Sequence, residues 1–142
     1  MRISDVLRRK GTDVATVAPT SSVTELLAAL ARRNVGALVV ADGKTLVGIV
    51  SERDVVRRLA ERGAGVLDAA VAEIMTPDVL TCAPDDSVDD LAATMTERRI
   101  RHMPVVSGGA LVGIVSLGDV VKSHISNLES TRDQLQSYIA QG

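Results

Sequence analysis

Two short segments place a hydroxyl and a carboxylate three residues apart: Ser51-Glu52-Arg53-Asp54 and Ser116-Leu117-Gly118-Asp119. Each follows the same apolar run, Leu-Val-Gly-Ile-Val, and precedes Val-Val, so a strand runs straight into a helix there. That geometry suits two chemistries. Ser at the N-cap and Asp three residues on can satisfy free amides at the helix start as a capping device. The same exposed amides and hydroxyl suit a phosphate, and a nearby carboxylate can accept from both hydroxyls of a ribose. Arg53 bears on the choice, because a cation in the first helical turn opposes the helix dipole by about 0.3–1 kcal/mol, a conflict that an anionic ligand removes.

The elements that position these corners are duplicated. Pro19, Gly48 and Asp54 recur as Pro84, Gly113 and Asp119, each 65 residues on, and about twenty of some forty-four aligned positions are identical without a gap. Two copies are too few for a solenoid, so they are expected to pair face to face with pseudo-twofold symmetry. Each copy reads strand (Val14 to Val17, Val79 to Cys82), helix, strand, strand, helix. Ser22 with Glu25 and Ser87 with Asp90 mark the first helix starts, which end near Arg33 and Arg98. Asp42-Gly43 and Gly108-Gly109 turn the hairpins. The fold class is therefore α/β (α+β), a single module of tandem βαββα repeats. Residues 1–65 form the first repeat with an N-terminal helix over Ile3 to Lys10, and 66–142 the second. The joining segment carries a helix candidate, Asp68 to Met75, with Asp68 as its cap.

The last helix departs from the repeat. Val121, Ile125, Leu128, Leu135 and Ile139 follow spacings of four and three, interrupted at Arg132. Extending over about residues 118 to 140 at ~1.5 Å per residue, it exceeds what one copy can cover. Contact with a second subunit is favoured over a tail folding back on its own module.

The copies diverge where Arg101-His102-Met103-Pro104 replaces Gly36-Ala37-Leu38-Val39. An Arg and a His at a strand entrance can clamp phosphate oxygens, the imidazole as a donor when protonated, or can pair with Asp85, Asp86, Asp89 or Asp90.

Composition narrows the function classes. Sixteen Lys and Arg against eighteen Asp and Glu give a net charge of −2, and with no Trp, no Phe and only Tyr138 there is no stacking platform, so nucleic-acid binding is disfavoured. Mean hydropathy is +0.20, and the longest apolar run, Val35 to Ala41, is far short of the ~20 residues that span a membrane. No signal-peptide core opens the chain, and the lone Cys82 has no disulfide or zinc partner, so a cytoplasmic protein without membrane contact is expected. Cys82, His102 and His124 form no set of nucleophile, base and orienter, and an enzyme is not expected.

The duplicated Gly-Ile-Val-Ser-x-x-Asp, Ile74-Met75-Thr76-Pro77 and Arg101-His102-Met103-Pro104-Val105-Val106 together resemble the cystathionine-β-synthase (CBS) domain pair, or Bateman module, in its free-standing bacterial form. That resemblance implies adenosine nucleotides in clefts between the copies, AMP first and ADP, ATP or NAD(H) as alternatives, with no catalytic cofactor. It implies Asp54 and Asp119 as ribose ligands and Ser51 and Ser116 as phosphate ligands. Thr16 and Thr81 with strand neighbours Leu38, Met103 and Pro104 would line adenine, and Arg101 and His102 would meet phosphates. Gly36 and Ala37 leave the first site without that basic pair, where Lys10 or Arg53 would substitute. The function so implied is a regulatory sensor, homodimeric and read by an effector protein. The other reading is a structural dimerisation module whose Ser-x-x-Asp elements are only caps.

Overall fold

Alternating burial and capping residues produce the elements in the expected order. The protein is described here by a computed structural model covering residues 1–141, with side chains to 140. Its elements are α1 (Ile3–Lys10), β1 (Thr16–Val17), α2 (Val23–Arg33), β2 (Ala37–Asp42), β3 (Thr45–Ser51), α3 (Glu52–Arg62), α4 (Val88–Arg98), β4 (His102–Ser107), β5 (Ala110–Ser116) and α5 (Leu117–Gln141), with two 3-10 turns, Ala64–Asp68 and Val71–Glu73, between α3 and α4. Ser22 Oγ accepts from the Glu25 amide at 3.1 Å and Ser87 Oγ from the Asp90 amide at 3.0 Å, capping α2 and α4. Both helices stop at left-handed residues, Asn34 and Arg99.

The hairpins β2–β3 and β4–β5 share one register. Ala37 faces Ser51 and His102 faces Ser116, with a bulge at the equivalent place in each. Parallel β1 completes a three-stranded sheet in the first repeat. In the second, the expected strand Val79 to Cys82 shrinks to one bridge, Cys82 to Val105. Cys82 N donates to Pro104 O at 3.0 Å, and Val106 N to Cys82 O at 2.9 Å. Continuing the ladder toward Leu80 requires an N–H at residue 104, and proline has none.

The two hydrophobic cores cross the repeat boundary. Ile3, Val6 and Leu7 of α1 sit among Val88, Leu91, Met95, Val105 and Val115 of the second repeat. Val66, Val71 and Ile74 of the connecting segment fill the first repeat's core beside Val23, Leu26 and Val50. Matching backbone bonds hold both: Val71 N donates to Ser21 O at 2.8 Å, and Ile3 N to Asp86 O at 2.9 Å. The N-terminal helix, expected as the first copy's own, thus packs in the second. The same tertiary bonds explain why the helix expected over Asp68 to Met75 does not form. Ala69 and Ala70 are extended so that Ala69 O can accept from Val23 N, which splits the segment into two 3-10 turns, and Asp68 ends the first rather than capping anything.

The sheets meet along β3 and β5, where Leu111 N donates to Lys44 O at 3.0 Å. α5 runs 25 residues, about 37 Å at ~1.5 Å per residue. Val120 and Ser123 are buried against the module, while Leu128, Leu135 and Ile139 are well exposed.

Candidate functional site

Both Ser-x-x-Asp corners close on themselves as capping boxes where a strand becomes a helix. Asp54 Oδ2 accepts from Ser51 N at 2.8 Å and Ser51 Oγ at 3.1 Å, and Asp54 N donates back to Ser51 Oγ at 3.3 Å. Asp119 Oδ2 accepts from Ser116 N at 2.8 Å, and Asp119 N donates to Ser116 Oγ at 3.2 Å. The capping chemistry is therefore realised in both copies. It uses one carboxylate oxygen of each Asp; Oδ1 accepts no bond among the described residues, and both residues keep partial exposure.

Around these matching corners the surroundings differ. Glu52 N donates to Gly36 O at 2.9 Å, and Leu117 N to Arg101 O at 2.8 Å, so each helix start is tied to the residue entering the neighbouring strand. In the first corner those entrance residues are Gly36 and Ala37, small and uncharged, and Glu52 fills the space beside Gly36. Arg53 is exposed and forms no ion pair among the described residues. In the second corner the entrance residues are Arg101 and His102, and a further cation arrives from a distant part of the chain. Lys10 Nζ, at the end of α1, lies 2.6 Å from Asp119 Oδ2 and 3.0 Å from Ile114 O. Lys10 was expected to compensate the first corner; because α1 packs on the second repeat, its ammonium reaches the second instead. Spacing alone carries no signal for that crossing.

Electrostatics follow from this gathering. Burial pushes the Asp119 carboxyl up, but the Lys10 hydrogen bond, the Ser116 amide and hydroxyl and the Lys10 charge outweigh it and hold the group below its ordinary value, ionised at neutral pH. Burial, then the Lys10 charge, lowers His102, with Arg101 adding to them against the pull of Asp119. The imidazole is thus neutral at pH 7, so the positive charges at this corner are those of Lys10, on Asp119, and of Arg101, at the strand entrance. Among the described residues none of the four carboxylates that competed for Arg101 pairs with it, and three are engaged elsewhere. Arg2 lies 3.6 Å from Asp85, His124 Nε2 lies 3.7 Å from Asp89, and Asp86 Oδ2 accepts from Ala83 N at 2.8 Å.

The strand residues divide between faces. Leu38 and Met103 are buried in their own repeat's core, and Pro104 is buried on the alternate face of β4. Thr16 and Thr81 are exposed. Thr81 edges a recess of about 110 Å³ with Met103, Leu91 and Thr94 on the helix side of β4, below the 300–1,000 Å³ usual for a small-molecule site. Another indentation, about 650 Å³, runs along the polar side of α5, away from both corners. Cys82 is buried with its thiol pushed up to about 11 by burial and then by Asp86, the environment of an inert core residue.

The corners close on their strands through two glycines. A Cβ at Gly48 would meet Met75 Sδ at 2.7 Å and Thr76 O at 2.9 Å, and one at Gly113 would meet Leu7 Cδ2 at 2.7 Å. The connecting segment thus covers β3 as α1 covers β5.

Known proteins share this arrangement. The CBS domain profile matches residues 3–61 and again 71–125. "CBS domain-containing protein YhcV" of Bacillus subtilis is 33% identical over 88% of this chain and 89% of its own. The crystal structure of the CBS-domain containing protein ATU1752 from Agrobacterium tumefaciens superposes with a TM-score of 0.81 at 42% identity, covering 87% of this chain and 99% of that one. The CBS domain pair of protein MJ0100, solved in complex with 5′-methylthioadenosine and S-adenosyl-L-methionine, has a TM-score of 0.76 at 28% identity over 89% of this chain and 98% of its own. With two profile matches on two crossed cores that share one hairpin register, the chain belongs to the CBS-domain family, as a tandem pair.

Proposed function

We propose that this protein is a regulatory module that binds an adenosine nucleotide at the corner between β5 and α5 and shifts the relative arrangement of repeats or subunits on binding. One observation carries the reading: at Asp119, capping occupies a single carboxylate oxygen, while Lys10 and Arg101 bring positive charge to the same helix start. Oδ1 is free to accept from ribose hydroxyls, and the cations and α5 amides suit an anionic tail. The adenosine ligands of MJ0100 support an adenosine compound in a related pair. Thr81, Met103 and Pro104 lie along the strands that approach this corner. The first corner, Ser51 and Asp54 with Thr16, Leu38, Gly36 and Ala37, is the weaker site, since Arg53 alone supplies cationic charge there.

The preferred ligand on this reading is AMP, with ADP, ATP and NAD(H) as competitors. No turnover is involved: the protein acts in the cytoplasm as a homodimer that an effector protein reads. Its response can be no larger than the ligand's differential affinity for the two arrangements. Isothermal titration of the folded protein with AMP, ADP, ATP and NADH tests this. Saturable heat with at least one is expected; silence with all four sinks it.

The finished capping boxes favour a second reading, a dimerisation module whose corners bind nothing. The Asp119 substitution argued in the Discussion separates the two.

A further inference from the structure

On α5 five exposed apolar residues fall on one stripe, with Leu117 and Tyr138 outside its four-three spacing. Val121, Ile125, Leu128, Leu135 and Ile139 are 49%, 51%, 70%, 58% and 75% exposed. With Arg132 included, the steps between them alternate four and three without a break, the a/d seam of a heptad repeat. Val120 and Ser123 turn the opposite way, into the module. The rest of the chain therefore cannot cover this seam, and the helix carries it well past the last buried residue.

We propose that the seam closes against the same helix of a second copy, antiparallel, as a two-stranded coiled coil. The orientation follows from Arg132. A parallel pair stacks each a position on its equivalent and sets Arg132 against the partner's Arg132 inside the seam. An antiparallel pair sets a against d. Val121 then faces the partner's Ile139, Ile125 the partner's Leu135, and Leu128 the partner's Arg132, so that all six seam positions are matched in one register centred on Ser130. In that register Arg132 also lies beside the partner's Glu129. Two arginines and two glutamates gather around the twofold axis with no net charge. A slip of one heptad leaves apolar seam residues of both helices uncovered. One buried cation near the middle is a known means of fixing register at some cost in stability. The docking of Val120 and Ser123 holds the helix in place before association, which lowers the ordering cost of pairing.

This inference gives the homodimer of the proposed function its surface and does not depend on any ligand. Sedimentation equilibrium of the full chain without nucleotide tests it, together with thiol cross-linking. The wild type is expected at the dimer mass. Leu135→Lys, which acts twice in a symmetric interface, should weaken association about a hundredfold or more. Its circular dichroism and melting temperature should match the monomeric wild type at high dilution, because Leu135 touches no core. A mixture of Val121→Cys and Ile139→Cys proteins should cross-link to each other faster than either does to itself. A monomeric wild type, or a dimer that Leu135→Lys leaves intact, overturns the surface. Faster self-cross-linking of Val121→Cys overturns the orientation. Nucleotide titration of the Leu135→Lys protein reads the ligand proposal separately.

Discussion

Lys10 and Asp119, 109 residues apart in sequence, meet with Nζ 2.6 Å from Oδ2, tying the end of the N-terminal helix to the helix start of the second repeat. The ammonium also accepts the task of satisfying a strand carbonyl, Ile114 O at 3.0 Å. In the first repeat the equivalent carbonyl, Ile49 O, is satisfied by the backbone, from Thr76 N at 2.8 Å. A charge in one copy thus stands where a peptide group stands in the other. Two nearly identical corners thus differ in charge, with Lys10 and Arg101 at one and Arg53 alone at the other.

Asp119→Ala reads both roles of that carboxylate at once. Loss of the cap and of the Lys10 contact should lower stability by about 1–2 kcal/mol in urea denaturation. If the corner also binds a nucleotide, affinity falls at least about tenfold, the loss expected of one hydrogen-bonded partner to a charged group. Equal affinity in Asp119→Ala and wild type leaves only the capping role. Asp54→Ala should show the stability loss with a smaller effect on ligand.

Lys10→Met should raise the His102 titration midpoint, because the lysine charge is one of the forces holding the imidazole neutral. Burial acts first and stays, so the change is a shift and not a restoration. The imidazole proton resonances followed by NMR across pH 4 to 8 give the measurement. An unmoved His102 would mean that Lys10 does not sit at this corner.

The pH dependence of stability carries two signatures of the same cluster, both of them losses as pH falls but in different windows. Asp119 is lowered from 3.8 in the folded protein, so its contribution is whole above that value and disappears as pH falls through the folded midpoint. His102 is lowered from 6.5, so the unfolded chain takes up its proton first as pH drops. Stability declines from about pH 6.5 downward and levels off below the folded midpoint. His102→Gln should flatten the decline just below neutrality while leaving the acid limb. Urea midpoints at half-unit pH steps would show it, and an unchanged slope between pH 7 and 5 removes His102 from the account.

Much of this architecture was legible in the sequence because it is local or repeated. Ser22, Ser87, Ser51 and Ser116 announce helix starts by what lies three residues on, and the hairpins follow from glycine turns between apolar runs. What escaped is non-local. Nothing in the spacing of Ile3, Val6 and Leu7 says which of two similar sheets they cover, and Lys10 went with them. The connecting helix failed for a similar reason: Ala69 and Ala70 favour helix by composition, yet Ala69 O accepts from Val23 N, and the amides of Val71 and Ala72 donate to Ser21 O and Pro19 O in the loop before α2. Pro104 was visible as a residue but its effect was not, since the missing N–H matters only once Leu80 is known to lie beside it.

The crossing of the cores makes a last prediction possible, because Gly48 and Gly113 meet different kinds of obstacle. A methyl at Gly48 would lie 2.9 Å from Thr76 O, a backbone atom fixed by bonds in both directions between Thr76 and Ile49, and 2.7 Å from Met75 Sδ. The atoms nearest a methyl at Gly113 all belong to the Leu7 side chain, whose terminal carbons at 2.7 and 3.1 Å can turn aside at the expense of packing. Overpacking costs about 1–3 kcal/mol in general. Gly48→Ala should fall at the upper end and Gly113→Ala at the lower. Leu7→Ala should relieve Gly113→Ala, making the double variant more stable than the sum of the two losses, because the two sites share one contact. Leu7→Ala combined with Gly48→Ala should instead be additive. Melting temperatures of the five variants decide it: equal losses at the two glycines, or additivity at Leu7 and Gly113, would contradict the placement of α1 over the second sheet.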